Sequence, residues 1–234
     1  MPEVKLRENS FNELIRRRGG SVIYRRSIKC TCWDDSSGQP HYDCKACGGY
    51  GYIYDAPIEE THVLVMNLAL NKEFTQLGEY RMGDCVMTIP HIKKIMGEDQ
   101  LWQYPPHPMY DIGERDQVTL LDSEFRTHET LVRGEPILGR LPDTLRQEFV
   151  TKILAIIQAN PDTGEVKHYG TSLWSCSGST IQWLTADAPA IGTKYSVLYY
   201  NHPTYVVYTQ LPQSRDPDGQ HMPKRVVIRF KDVI

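Results

Sequence analysis

YSVLYYNHPTYVVYTQ, residues 195–210, reads as two β-strands around one turn. Tyr195–Tyr200 and Thr204–Gln210 are rich in aromatic and β-branched side chains, which fit a pleated, half-buried surface. Asn201, His202 and Pro203 between them carry turn chemistry. The same rhythm extends upstream. Ser177-Gly178-Ser179 separates Ser172–Cys176 from Thr180–Leu184, and Asn160-Pro161-Asp162-Thr163-Gly164 separates Phe149–Gln158 from Val166–Tyr169. Downstream, Pro212–Pro223 reads as an exposed loop and Val226–Phe230 as a terminal strand able to add to a sheet edge, its own or a neighbour's. Short strands divided by turns at close spacing predict a mainly β fold, an antiparallel β-barrel or sandwich.

Nearer the N-terminus the signal is mixed. Residues 6–18 predict a short helix, with Ser10 as cap and Glu13 completing a capping box, Phe11, Leu14 and Ile15 on one face, Arg16, Arg17 and Arg18 in the last turn, and Gly19 and Gly20 as the stop. Such a helix either docks on a neighbouring subunit or packs on its own domain. Ser21–Lys29 reads as a strand or extended lead-in, and Tyr50, Tyr52 and Tyr54 alternate with Gly51 and Ile53 as in a strand. His62–Leu70, Cys85–Ile89 and Gln117–Leu121 are further strand candidates. The proline-rich segment Tyr104–Gly113, YPPHPMYDIG, reads as a surface or contact loop. Of Trp174, Trp183, Tyr199, Tyr200, Tyr205 and Tyr208, alternation sends about half to a core and leaves the others for an interface.

The chemistry is concentrated in CTCWDDSSGQPHYDCKAC, residues 30–47. Cys30 and Cys32 form one close pair, Cys44 and Cys47 another, and the polar loop between lets both pairs meet around one tetrahedral Zn²⁺. Gly48, Gly49 and Gly51 then let the chain turn closely around the site. Other readings of these residues are a redox dithiol at Cys44 and Cys47, two disulfides, or ordinary buried cysteines. A redox centre fits poorly, because a thioredoxin-like dithiol opens a helix, whereas this one runs into a glycine-rich aromatic stretch. His41 and His62 are possible substitute ligands, but four thiols already close the shell and leave no place for a catalytic water. Asp34, Asp35 and Asp43 read as turn formers, and Cys85 and Cys176 as small core residues. No nucleophile elbow or phosphate-cradling glycine loop is present, so an enzyme is not expected.

With 234 residues and 40% hydrophobic content the chain can build a core without staples, so the metal would lock a local excursion. The organisation expected is a basic arm over residues 1–29, a four-cysteine zinc module over 30–60, and an antiparallel β-domain over 61–234. The formal charge is −3, but the first 29 residues carry +5, leaving −8 for the remainder. That asymmetry suits self-assembly or contact with nucleic acid, the latter through Arg16–Arg18, Arg25, Arg26 and Trp33. The sequence shows neither a signal-peptide pattern nor a run of apolar residues long enough to cross a bilayer, which predicts a soluble protein made inside the cell, with no membrane partner.

Two resemblances bear on function. CKACGGYG, residues 44–51, resembles a single zinc-binding repeat of the DnaJ-type chaperones, but that family pairs several repeats and carries a helical J-domain, neither of which is visible, so a chaperone role is rejected. The cysteine module with GGYGYIYDAP, then YRMGDCVMTIP, GERDQVTLLD, TIQWLTADAPAIGTKYSVLYYNHPTYVVY and KRVVIRF, resembles in patches over residues 21–234 the neck, or head-to-tail connector, proteins of tailed bacteriophages. That resemblance implies a virion component, made in the host cytoplasm, that assembles as a homo-oligomeric ring between portal and tail and helps close the DNA channel. Its partners would be other neck, portal or tail proteins, with possible contact to packaged DNA. The alternatives are a baseplate or other tail component, and a zinc-stabilised nucleic-acid-binding module.

Overall fold

A computed structural model describes residues 8–67, 83–98, 100–136, 140–211 and 222–231. Helix α1 (Glu8–Arg18) leads into β1 (Gly20–Arg25), β2 (Ser27–Lys29), β3 (Trp33–Asp34), β4 (Gln39–Pro40) and β5 (Tyr52–Tyr54). Next come β6 (Ile58–Asn67), β7 (Cys85–Ile89), β8 (Ile95–Met96), β9 (Trp102–Gln103), β10 (Gln117–Leu120) and β11 (Phe125–Val132). The chain continues through β12 (Val150–Ala159), β13 (Val166–Tyr169), β14 (Trp174–Ser177), β15 (Thr180–Trp183), β16 (Lys194–Asn201), β17 (Thr204–Gln210) and β18 (Lys224–Phe230). The mainly β, antiparallel class expected from the turn spacing is the class observed. These elements fall into two compact units, one of Met1–Cys30, Tyr52–Asp122 and Thr204–Ile234, the other of Thr31–Gly51 and Ser123–Pro203. The interval 61–234 thus contributes strands to both.

The first unit is a closed barrel in the order β1-β10-β17-β18-β7-β6. Closure pairs every strand on both edges and leaves none as a template for aggregation. Alternate residues turn inward, so Val22, Tyr24, Val118, Val207, Val226 and Ile228 fill the interior with Met87 and Ile89. The terminal strand β18 lies between β17 and β7 of its own barrel, pairing Val207 with Ile228 and Val226 with Met87. One buried ion pair accompanies this closure: Arg229 donates Nε to Asp84 Oδ1 at 3.0 Å and Nη2 to Oδ2 at 2.8 Å while its guanidinium lies 3.8 Å over the Tyr208 ring. Bidentate geometry plus the aromatic face compensates the desolvation of both charges.

Two sequence expectations change here. The proline-rich segment Tyr104–Gly113 is not confined to the surface, because Met109 and Ile112 are fully buried in the barrel core. Burial is possible because the segment satisfies its own polar backbone: His107 N–H donates to His91 O, Tyr110 N–H to His107 O, Ile112 N–H to Met109 O and Gly113 N–H to Asp116 Oδ2. Ser10 is the third residue of α1 and so not its cap, while Glu13 pairs with Arg16 and Arg17 on the helix surface. The helix stops as expected at Gly19, whose N–H donates to Ile15 O at 2.6 Å; a Cβ there would lie 2.5 Å from that oxygen and 2.7 Å from the His62 backbone.

The second unit centres on a four-stranded sheet in the order β11-β16-β12-β13. The middle strand β16 alternates, burying Tyr195, Val197, Tyr199 and Asn201 and leaving Lys194 exposed. A network fixes this core's edge: Tyr195 Oη donates to Asp143 Oδ1 and Arg133 Nη1 donates to Oδ2, each at 2.7 Å. The β14–β15 hairpin carries Ile181 into the same core, with Trp174 and Trp183 packed against it. Cys176 is exposed near the tip of that hairpin, not the small core residue expected; Cys85 is partly buried against the barrel core. The strands Tyr195–Tyr200 and Thr204–Gln210 flank the expected turn yet do not pair; β16 joins the four-stranded sheet and β17 the barrel. The expected loop over residues 212–221, residues 68–70 of the His62–Leu70 run, and residues 6–7 of the helix reading lie outside the described residues.

Candidate metal centre

The site begins at its root. β2 and β5 pair as an antiparallel hairpin, Ser27 with Tyr54, Ile28 with Ile53 and Lys29 with Tyr52, so the chain enters the cysteine module at Cys30 and leaves it at Gly51 from adjacent strands. Asp116 anchors this root. Its Oδ1 accepts the Ser27 N–H at 2.7 Å, and its Oδ2 accepts the Gly113 N–H and the Tyr24 hydroxyl, both at 2.8 Å. Arg26 adds an ion pair to Asp111 at 2.7 Å, and Asp55 N–H donates to Arg26 O at 2.9 Å.

Beyond the root, Cys30, Cys32, Cys44 and Cys47 converge, their Sγ atoms all within 4.8 Å of one another. None of the four is in a disulfide; Cys30 and Cys47 are buried, Cys32 and Cys44 partly so. Cys32 Sγ lies 3.5 Å from Cys47 Sγ. Thiolates on a tetrahedral ion at about 2.3 Å stand about 3.8 Å apart, so the cluster fits a single metal ion with small adjustment. The close Cys30–Cys32 spacing works because Thr31 and Cys32 lie in a turn.

Local backbone geometry holds the thiols there. Gly48 N–H donates to Cys44 O at 2.8 Å, Tyr50 N–H to Cys47 O at 3.2 Å, and Gly51 N–H to Cys47 Sγ at 3.3 Å. Gly51 has φ of 79°, and a Cβ on it would meet the Trp33 ring at 2.5 Å, so only glycine lets the chain close over the β3–β4 turn. The Cys47 backbone N–H, then the Cys32 thiol and the Ala46 backbone N–H, hydrogen-bond the Cys44 sulfur and hold its pKa down to about 7. A thiol poised this way gives up its proton to a metal readily near neutral pH.

The remaining residues singled out in the sequence fall elsewhere. His41 is exposed, with Nδ1 3.4 Å from Asp43, and neither it nor His62 is part of the four-thiol cluster. Asp34 acts as the turn former expected: it accepts the Ser36 N–H and hydroxyl at 2.8 and 2.7 Å, Ser37 adds its hydroxyl at 3.1 Å, and these donors, led by the Ser36 hydroxyl, hold Asp34 down to about 2. Around it residues 34–39 are exposed, as are Tyr42, 87% accessible, and Tyr50, 64% accessible. Sequence reading missed Asp116, which stands 89 positions from Ser27 and carries no local signal of its role. Among the described residues no helix is long and apolar enough to cross a membrane. The chain matches no protein-family model and no curated protein sequence.

Proposed function

We propose that this protein is a non-enzymatic structural component of a tailed-bacteriophage virion, a homo-oligomeric ring of the neck between head and tail, in which Zn²⁺ bound by Cys30, Cys32, Cys44 and Cys47 stiffens a contact knuckle. The observation that carries the reading is the convergence of four thiols under an exposed loop with accessible Tyr42 and Tyr50. Four soft thiolates favour Zn²⁺ among common divalent ions and complete its tetrahedron, leaving no open position for chemistry. A small loop without its own apolar core gains a fixed shape from the ion, and exposed tyrosines on a rigid support suit a protein interface. The barrel itself offers no free strand edge, so assembly would run through such projections, through side-chain surfaces and through the open edges β11 and β13 of the four-stranded sheet. A ring is the closed form of a repeated heterologous contact.

Against the nucleic-acid alternative, three cations of the N-terminal segment already have acidic partners: Arg16 and Arg17 pair with Glu13, and Arg26 with Asp111. Native mass spectrometry of the purified protein tests the reading, since it reports oligomer size and metal per subunit together. A discrete ring with one zinc per subunit, indifferent to added DNA, is the result expected. A zinc-free chain, or a monomer that binds DNA in a salt-sensitive retardation assay, overturns it.

A further inference from the structure

A second site lies in the barrel unit, where a cavity of about 390 Å³ opens among α1, β6, the segment after β7 and the loop through Tyr104 and His107. Its size falls in the range of small-molecule sites. Asn12 on α1 lines it, and both the oxygen and the nitrogen of its carboxamide are buried without a hydrogen-bond partner among the described residues. A buried amide left unpaired at both ends is costly, and it matches a ligand that presents a donor and an acceptor together.

His62 lines the same cavity through a specific backbone device. Between the pairs Gly20–Val63 and Val22–Glu60 the register slips, so that Thr61 and His62 oppose Ser21 alone, and His62 takes φ of 67°. A bulge with a left-handed non-glycine residue costs free energy and re-aims a side chain, which is how strands present functional groups. Burial, with Arg16 and Lys93 nearby, pushes the His62 pKa down, which favours the uncharged ring.

The charges around the cavity leave an excess. Arg16 is held by Glu13 through two hydrogen bonds, at 2.9 and 2.6 Å, and Lys93 is ion-paired with the buried Glu60. Lys94 stands 4.2 Å over the Trp102 ring with no carboxylate partner among the described residues, so the described groups around the cavity carry one positive charge in excess.

We infer that this cavity binds a small, singly anionic ligand that carries an amide, with the anionic group against Lys94 and the amide paired with the Asn12 carboxamide. The two requirements are separable. Succinamate carries one carboxylate and one primary amide, whose N–H and C=O point the same way and can pair both ends of the Asn12 carboxamide, pentanoate carries only the carboxylate, and succinamide only amides.

The test is an NMR titration of the full-length protein, following the His62 ring and the Asn12 side-chain amide. Saturable shifts with succinamate at about 1 mM, the affinity expected of so few atoms, and binding at least about tenfold weaker for each partial probe are the results expected. Asn12→Leu should abolish the preference for succinamate over pentanoate, and Lys94→Gln the preference over succinamide. Because Asn12→Leu also removes the unpaired amide, it should leave the free protein as stable as the parent or more so, which separates lost binding from lost fold. The absence of saturable shifts up to about 50 mM, or variants that bind all three probes as the parent does, would overturn the assignment.

Discussion

Replacing Asp116 with alanine tests what holds β2, the strand that leads to Cys30, within the barrel unit. The carboxylate is buried, 5% accessible, and accepts three hydrogen bonds: from the Tyr24 hydroxyl at 2.8 Å, the Gly113 N–H at 2.8 Å and the Ser27 N–H at 2.7 Å. Removing it leaves the O–H of Tyr24, whose residue is fully buried, without its acceptor at about 1–3 kcal/mol, and leaves two partly buried N–H groups at about 1 kcal/mol each. The expected loss is about 4 kcal/mol, large beside the ordinary effect of a point substitution. Asp116→Asn keeps one acceptor but turns an NH₂ toward a donor, and should cost about half as much. Tyr24→Phe removes only the hydroxyl and should cost about 1 kcal/mol, and the double variant should fall short of additivity because the same bond is lost once. Urea unfolding with hydrogen exchange read at β1 and β10 measures these values. An Asp116→Ala protein within about 1 kcal/mol of the parent would refute the argument, as would strict additivity with Tyr24→Phe.

Three further outcomes follow from the same geometry. Gly51→Ala places a Cβ 2.5 Å from the Trp33 ring at φ of 79°, so strain of about 1–2 kcal/mol should make a metal held by the four thiols about tenfold easier to remove with a chelator; unchanged retention in a competition titration would contradict the packing. Cys44→Ser should lose the metal and the exchange protection of residues 30–51 while β1, β10 and β17 keep theirs, and loss of all β structure by circular dichroism would show that the module belongs to the main core. Burial raises the phenol pKa of Tyr24, Tyr195 and Tyr205, reinforced by Asp116 beside Tyr24, Asp143 beside Tyr195 and Cys85 beside Tyr205. In the unfolded chain these phenols ionise near pH 10, so the unfolded state releases protons first and stability should fall as pH rises from about 10 upward. Tyrosinate absorbance from these three residues should then appear together with unfolding; their ionisation near pH 10 with the fold intact would be the contrary result.

Much of this protein is legible in local pattern. The strand pairs β12–β13 and β14–β15, each divided by a glycine-bearing turn, stand where the turn chemistry puts them, because a hairpin closes between neighbours in sequence. The four thiols are legible for the same reason, since paired cysteines close to one another in the chain need little more than a turn to meet. Strand β11 was not legible: FRTHETLV buries only Leu131, so its apolar alternation is faint, and it is held by eight pairings to β16.

What the sequence by itself determined is the antiparallel β class, the extent of most strands and the identity of the candidate metal ligands, all of which depend on side-chain period or short spacing. Only the tertiary structure decided that β16 and β17, a short turn apart, enter different sheets, that Met109 and Ile112 of a proline-rich segment fill the barrel, and that Asp116 holds the root of the cysteine module. The physical reason is shared. Each of these outcomes is set by which distant surfaces bury one another and which buried donors then need an acceptor, and neither condition leaves a periodic trace in the residues themselves.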